Sequence, residues 1–432
     1  MAAMTVSAAQ DHVAAADPAP MGNGAPVLAM NDEMILTLNC GSSSLKFAVF
    51  SLIAEPRRLL HGAVVRIGAD DSALRVVNET GDAIIDEAAP CVNHPAALDW
   101  AMTRLEAVVN VSDILYVGHR VVHGGPDCDC PKPVTAQLEA RLRRLIPLAP
   151  LHLPANLEGI VAARLRLPRA RHLACFDTAF HQSSSMLARR TGLPRAVEQN
   201  EIRRYGYHGL SYEFIVDHLR RNEGEDAANA PLIVAHLGAG ASMAAISNGQ
   251  SVDTTMGFST LSGLPMATRC GDIDPGLILY LLQEKGWSAS DLQTLLYEQS
   301  GILGLSGRSG DMQALMATPV DADAREAIDF FCFQARKHIG ALAAAMGRIS
   351  RIVFTGGIGA HAPEIRAQIL RPLEALLPLR LDNARNADND PLISSDGSLI
   401  KLNALNTDEE LVIARHTAAF ARGEGALARI HQ

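Results

Sequence analysis

Residues 34–50 read MILTLNCGSSSLKFAVF, and the segment Asn39-Cys40-Gly41-Ser42-Ser43-Ser44, with Lys46 just beyond, is the stretch richest in chemical potential. One glycine and three serines make a tight turn dense in backbone N–H and hydroxyl donors, which suits phosphate oxygens. Lys46 adds a positive charge that a purely structural turn does not need. The spacing differs from G-x-x-x-x-G-K-[ST], and a β-type run rather than a helix follows, so the segment is not a P-loop. Taken alone it is equally compatible with an ordinary hairpin turn.

Four more polar segments punctuated by glycine follow. LYVGHRVVHGG (115–125) sets His119, Arg120 and His123 at the end of an apolar run, and HLACFDTAFHQ (172–182) ends a run with the lone carboxylate Asp177. IRRYGYHGLS (202–211) groups Arg203, Arg204 and His208, and LPMATRCGDIDP (264–275) places Arg269 ahead of Asp272 and Asp274. Polar loops at strand ends are where α/β proteins put their chemistry. Each group also has a structural reading. The arginines suit ion pairs, His208 suits a bond to a backbone carbonyl, and Asp177 suits a helix cap. A third glycine cluster, Gly356-Gly357-Ile358-Gly359, follows an apolar run and precedes a helix start at Pro363-Glu364, a pattern that lets a ribose or flat ring approach the backbone. Glu409 lies in a capping-type helix start, where dipole complementation is its structural role.

These groups need a scaffold, and the chain supplies an alternation of strands and helices. Strands are expected at 34–38, 45–50, 61–66, 114–118, 172–176, 232–236, 243–247 and 351–355, and helices at 95–109, 135–146, 156–166, 275–285, 323–347, 363–376 and 408–422. That is an α/β protein, with an aliphatic core because aromatic residues make up 4% of the chain. Residues 232–247, LIVAHLGAGASMAAIS, repeat the strand–loop–strand of the first segment, with Gly240 matching Gly41 and Ser242 matching Ser43. Two phosphate-type hairpins suggest a duplicated architecture with nucleotide in the cleft between halves. At 432 residues there is room for two or three domains, and a net charge of −9 argues against nucleic acid while leaving local arginines free to bind a small anion. Seven scattered cysteines suit reduced thiols in the cytoplasm, and no apolar run reaches membrane-spanning length. Cys128-Asp129-Cys130 has no second cysteine pair to complete a metal site. Residues 1–32, rich in Ala and Pro, read as a disordered leader or as an upstream start.

The motifs, in order, resemble the acetokinase family, the acetate kinases of the sugar kinase/heat-shock cognate/actin superfamily. The resemblance spans about residues 33–425. It rests on LNCGSSSLKF, VGHRVVHGG, APLHLPANL, FDTAFHQ, RRYGYHG, HLGAGAS, MGFSTLSGLPMATRCGDIDPG, SGILGLSGRSGDM, FTGGIGAHAPEIR and TDEELVIARHT. It implies a duplicated, ribonuclease H-like, actin-like fold: an N-terminal domain over 33–180, completed by a helix at about 411–425, and a C-terminal domain over 181–410. It also implies a cytoplasmic homodimer, acting on neither nucleic acid nor membrane, that transfers phosphoryl reversibly between ATP/ADP and acetate/acetyl phosphate. Mg²⁺ is the implied cofactor, with Mn²⁺ a possible substitute.

Matched motif by motif, Asn39 and Glu409 fall on metal positions, and Ser42, Ser44 and Lys46 on the first phosphate loop. Arg120, Asp177, His208 and Arg269 fall on catalytic positions. Arg120, Val122, Leu151, Tyr207 and Thr260 fall on the acyl pocket. His236, Leu237, Gly238, Ala239 and Gly240, then Asp311, Met312 and Gln313, then Gly357, Ile358, Gly359, Ala360 and His361 fall on nucleotide segments. Acetate is already ionised at neutral pH, so Asp177 is expected to orient Mg²⁺ or an arginine rather than act as a base. Four departures stand out. Ala239 replaces the usual asparagine, Ala360-His361 replaces Glu-Asn, Tyr207 replaces phenylalanine, and Thr260 replaces proline. The acyl-pocket changes keep a propionate or other short-chain carboxylate kinase as the alternative. The changes in the nucleotide segments leave a non-catalytic nucleotide sensor as the other.

Overall fold

The computed structural model describes residues 33–198, 201–317 and 321–424. The sequence reading of 1–32 falls outside them. Eight strands form the first sheet: β1 Met34–Cys40, β2 Ser44–Ser51, β3 Arg58–Val65, β4 Ala73–Asn78, β5 Ala83–Ala88, β6 Ile114–Val121, β7 Lys132–Pro133 and β8 Arg171–Phe176. Their order is β5-β4-β3-β2-β1-β6-β8-β7, an antiparallel meander over β1–β5 joined to β6 and β8, which run parallel to β1. The second sheet contains β9 Leu232–Leu237, β10 Ala241–Ser247, β11 Gln250–Thr254, β12 Arg351–Thr355 and β13 Lys401–Ala404, ordered β11-β10-β9-β12-β13. Here too an antiparallel hairpin, β9–β10, is extended by parallel strands, so the repeat seen in the sequence is a repeat of topology.

Burial on both faces explains why the inner strands read as unbroken apolar runs. Along β1, Leu36 and Leu38 face a core that includes Leu98, Ala101 and Leu105 of the helix His94–Leu105, while Ile35 faces Ala414 and Ala418 of the helix Glu409–Ala421. The last described helix therefore covers the first sheet. In the second sheet, Ile233 and Ala235 share a core with Phe331, Ala335 and Ile339 of the long helix Ala322–Met346. Val234 packs on the other side with Tyr212, Ile215 and Leu219 of the helix Gly209–Glu223.

Several elements differ from expectation. The helix Gly209–Glu223 is not among the expected helices, and its first three residues fall in 202–211, whose glycines suggest a loop; it opens on Gly209 without a side-chain cap, so the usual start signal is absent. β4, β5, β11 and β13 are short and mostly lie away from the sheet centres, where alternation is weak. The expected helix 363–376 is α-helical only over Pro363–Leu370, then tightens to 3₁₀ over Arg371–Ala375, because Pro372 has no N–H to continue the ladder. The glycine cluster after β12 is not an open loop but a helical turn, Gly356–His361. No helix among the described residues is long and apolar enough to cross a membrane.

Candidate active site

Parallel strands β1, β6 and β8 deliver three chemical groups to one sheet edge: Asn39 near the end of β1, Arg120 near the end of β6, and Asp177 just past β8. Arg120 grips Asp177 with both forks of its guanidinium, Nε at 3.1 and 3.2 Å and Nη2 at 2.7 Å. Its remaining nitrogen, Nη1, lies 3.4 Å from the Asn39 side-chain oxygen and 3.4 Å from a Glu409 carboxylate oxygen. Glu409 arrives on the first turn of the last helix, whose N-terminus is capped by the Asp408 side chain and held by an Arg58–Asp408 bond. Four residues from four elements thus meet at one guanidinium. Burial pushes the Asp177 carboxyl above its ordinary range and Arg120 pulls it back. Burial alone would lower Arg120, but Asp177 and Glu409 outweigh it and hold the guanidinium charged. Asp177 thus fixes the plane of the Arg120 guanidinium.

A second group faces this one from β9, β10 and the start of the helix Gly209–Glu223. His208, with a left-handed backbone (φ 60°, ψ 24°), is the residue immediately before that helix and makes no capping bond with its side chain. The Gly209 N–H donates to the Asp177 carbonyl at 2.9 Å, and a Cβ there would stand 2.2 Å from the same oxygen, so only glycine permits the approach. His208 Nδ1 bonds the Ser242 hydroxyl at 2.8 Å, and its ring stacks on His236 with centroids 4.3 Å apart. His236 Nδ1 in turn bonds the Ser211 hydroxyl at 2.8 Å. Burial, then neighbouring positive charge, lowers both rings, His236 to about 4 and His208 well below the usual imidazole value, so both are neutral at pH 7. Arg269, anchored by Nη1 on the Thr260 carbonyl at 3.0 Å, converges on the same place. A Cβ on Gly240 would lie 3.3 Å from His208 Nε2 and 3.4 Å from Arg269 Nη2.

The nucleotide segments surround this centre. In the first loop Gly41 N–H closes the turn on the Ser44 carbonyl at 2.8 Å, Ser42 is exposed, Ser44 is half-buried, and Lys46 pairs across the hairpin with Asn39. Asn156 ties this loop to the Arg120 strand, donating to the Cys40 carbonyl at 2.8 Å and accepting from the Val122 N–H at 2.9 Å. The second loop, His236–Gly240, rests against the Gly356–His361 turn. Gly356 sits there at φ +76°, where a Cβ would come within 2.6 Å of the Leu237 carbonyl. The Ala239 carbonyl accepts from the Ala267 N–H at 3.1 Å, and Gly310, just before Asp311, packs on Ala267. Asp311 and Gln313 are exposed. Leu237, Met312 and Ala360 are core side chains, so only their backbone is offered to a ligand. Ile358 is half-buried, while Gly357 and His361 are exposed. The polar side chain lost at Ala360 thus leaves a packed position, whereas Ala239 is exposed at the loop itself.

Val122 and Tyr207 belong to one buried cluster, Thr260 is buried close by through its bond to Arg269, and Leu151 is half-buried beside His152. The Tyr207 hydroxyl is taken up by the Phe258 carbonyl at 3.0 Å, so Tyr207 adds less polarity to the pocket than its chemistry suggested. Sequence reasoning missed the supports His152, Asn156 and Tyr212, and gave Ser242 only as the match of Ser43 in the second hairpin, not as a partner of His208. His152 lies within the field of Arg269 and Arg120, which act with burial to lower it to about 4. It also missed Arg366, which is fully buried and bonds the Gly359 carbonyl at 2.9 Å and the Asn386 side chain at 2.8 Å. A His before LPANL and an Arg after the Pro363 helix start were the available signals. Among the described residues no three His, Cys, Asp or Glu side chains converge as a metal cluster. Asn39 and Glu409 each place a hard oxygen 3.4 Å from Arg120 Nη1, and these are the residues of the cluster whose chemistry suits a divalent cation that takes its other ligands from phosphate and water.

The acetokinase family model matches residues 34–415. The chain belongs to the acetokinase family. Acetate kinases of Rhodopseudomonas palustris (strain TIE-1) and Methylocella silvestris are each 42% identical to it, over 90% and 89% of this chain and 99% and 97% of their own. Among solved structures, the Porphyromonas gingivalis acetate kinase is 32% identical with a TM-score of 0.80, covering 90% of this chain and 100% of that one. A Francisella tularensis propionate kinase is 33% identical with a TM-score of 0.83, covering 89% and 98%. The two-sheet architecture is the actin-like fold that the acetokinase motifs imply.

Proposed function

We propose that the protein is an acetate kinase, transferring the γ-phosphoryl group of ATP to acetate, reversibly, by direct in-line displacement. The observation that carries the reading is the convergence of the Arg120–Asp177–Asn39–Glu409 cluster with Arg269 and His208. Phosphoryl transfer to a carboxylate needs positioning and charge neutralisation rather than covalent help. The acetate oxygen attacks phosphorus, the bond to the ADP oxygen breaks, and no proton has to be removed from the acceptor. Arg120, aimed by Asp177, and Arg269, aimed by the Thr260 carbonyl, neutralise the carboxylate and the moving phosphoryl. His208, kept neutral, donates a hydrogen bond to an equatorial oxygen. Asn39 and Glu409 would hold Mg²⁺, or Mn²⁺ in its place, which neutralises phosphate charge when bound. Val122, Leu151 and Tyr207 line the methyl end of the acceptor. Ser42, Ser44 and Lys46, with the backbone of the second loop and the Gly356 turn, hold the nucleotide.

Residues 33–180 with the last helix act as one lobe and 181–410 as the other, closing on substrates in between. The active form is a homodimer. The helix Pro275–Gln283 buries none of its residues in the single chain, and Leu277, Leu279, Tyr280 and Trp287 stand exposed, an apolar face fit for a second copy. Seven free thiols suit a reducing cytoplasm.

Hydroxamate trapping of acyl phosphate, with ATP, Mg²⁺ and acetate, propionate or butyrate in parallel, tests the reading. The highest kcat/KM on acetate is expected. Preference for propionate moves the assignment to a propionate kinase, and ATP binding without product from any acid overturns catalysis.

A further inference from the structure

We propose that Tyr212 and Ser242 form a hydrogen-bond relay that fixes the tautomer of His208, so that its Nε2–H faces the transferring phosphoryl group. Both are positioning residues, and the inference rests on the phosphotransferase reading above. Tyr212 and Ser242 are fully buried. The Ser242 hydroxyl has two hydrogen-bond partners among the described residues, His208 Nδ1 at 2.8 Å and the Tyr212 hydroxyl, while the Tyr212 hydroxyl has Ser242 alone. Burial raises the Tyr212 phenol, so it keeps its hydrogen at neutral pH.

That hydrogen has one place to go, the Ser242 oxygen. Ser242 then turns its own single hydrogen to His208 Nδ1, which must be the acceptor. The opposite arrangement, with His208 Nδ1–H donating to Ser242 and Ser242 donating to Tyr212, strands a buried phenolic hydrogen without an acceptor, and an unmade buried hydrogen bond is expensive. In a neutral ring the proton therefore resides on Nε2. That nitrogen lies 3.3 Å from the Cβ position of Gly240, beside Arg269 Nη2 at 3.4 Å, so two donors point at the same second-loop glycine. With the other tautomer a lone pair would face the phosphoryl oxygens and repel them. The relay also resists protonation of the ring, because an Nδ1–H would force Ser242 to turn and displace the Tyr212 hydrogen. Ser242 is used quite differently from Ser43, its match in the first loop, which is exposed.

The test is long-range ¹⁵N–¹H correlation on histidine-labelled full-length protein, with His208→Asn identifying the signal among 15 histidines. Wild type is expected to show a neutral His208 protonated on Nε2. Tyr212→Phe, which removes one oxygen and keeps the ring, should raise the His208 midpoint by about one pH unit, a tenfold change in the charged-to-neutral ratio. It should also make the Nδ1–H tautomer detectable. Its kcat should fall in proportion to the Nε2–H form lost, with KM for ATP and acetate unchanged. Ser242→Ala should likewise mix the tautomers. A wild-type proton on Nδ1, or a Tyr212→Phe protein with unchanged tautomer and midpoint, overturns the relay. Absence of acyl phosphate formation by wild type overturns the functional reading instead, whatever the tautomer.

Discussion

Replacing Asp177 by asparagine changes charge and one hydrogen-bond polarity at almost constant shape. Asp177 is 1% exposed and accepts from Nε and Nη2 of Arg120. In Asp177→Asn one carboxylate oxygen becomes an NH₂ that meets a guanidinium donor, so one charge-assisted bond is lost outright, worth about 1.5–3 kcal/mol. Breaking a buried ion pair costs about 3–5 kcal/mol when nothing else compensates. That ceiling is not reached, because 22% of the Arg120 side chain is exposed and Glu409 remains 3.4 Å away. A loss of about 2–3 kcal/mol falls on an arginine that must meet the transition state in register. At about 1.36 kcal/mol per decade this predicts a 30- to 150-fold drop in kcat/KM for acetate. The acceptor carries no proton to remove, so the drop should be uniform across neutral and mildly alkaline pH. A lost general base would instead reshape the profile. Hydroxamate-trapped initial rates with acetate varied at saturating ATP measure it. A variant within about threefold of wild type would refute the claim that Asp177 works by aiming Arg120.

Arg366→Met should destabilise the fold by about 2–3 kcal/mol, since it leaves the carbonyl and amide acceptors of a buried guanidinium unpaired. The KM for ATP should rise at the same time, because Arg366 holds the Gly359 carbonyl; a thermal melt and an ATP titration check both. Gly356→Ala forces a side chain onto a left-handed residue against the Leu237 carbonyl, and should weaken nucleotide binding far more than acetate binding, as calorimetry with each ligand would report. His416 and Glu213 form a buried 2.7 Å pair; burial alone would lower the imidazole, but Glu213 outweighs it and raises it. Its stabilisation is complete below about pH 6.5 and fades as pH rises through the raised value, so Glu213→Gln should flatten the wild-type decline in melting temperature on the alkaline side. His123, His152, His172, His181 and His236 are each depressed to about 4 by burial, the opposite sign. They stay neutral while the unfolded chain takes up protons, so stability should fall steeply as pH drops from about 6.5 towards 4, measured by chemical denaturation at stepped pH.

The buried strands were legible because they carry an unbroken apolar signal, as in LIVAHL, and both hairpin loops were legible because Gly and Ser mark a turn in any context. The cluster around Arg120 was legible only through motif order. No local pattern says that Asn39, Arg120, Asp177 and Glu409, spread over 371 positions from 39 to 409, meet at one guanidinium. What stayed hidden lies one layer behind. Tyr212 looks like an ordinary core residue, Ser242 like the counterpart of the loop serine Ser43, and Asn156 like a polar residue on a helix face; their work is to bond a hydroxyl, a ring or a backbone group behind the site. The helix Gly209–Glu223 was missed because the left-handed His208 opens it where a serine or aspartate cap was the signal sought.

The helix Glu409–Ala421 supplies a carboxylate to the cluster around Arg120 and also roofs the face of the first sheet formed by Ile35, Ala48 and Phe50. During synthesis that face emerges among the earliest described residues and its cover comes among the latest. The nascent chain must therefore carry this apolar face without its own cover through most of translation. Over the same interval the Glu409 carboxylate is absent too, so the cluster around Arg120 is complete only once the last helix has been made. The segment that completes the Arg120 cluster is thus also the one that seals the exposed core.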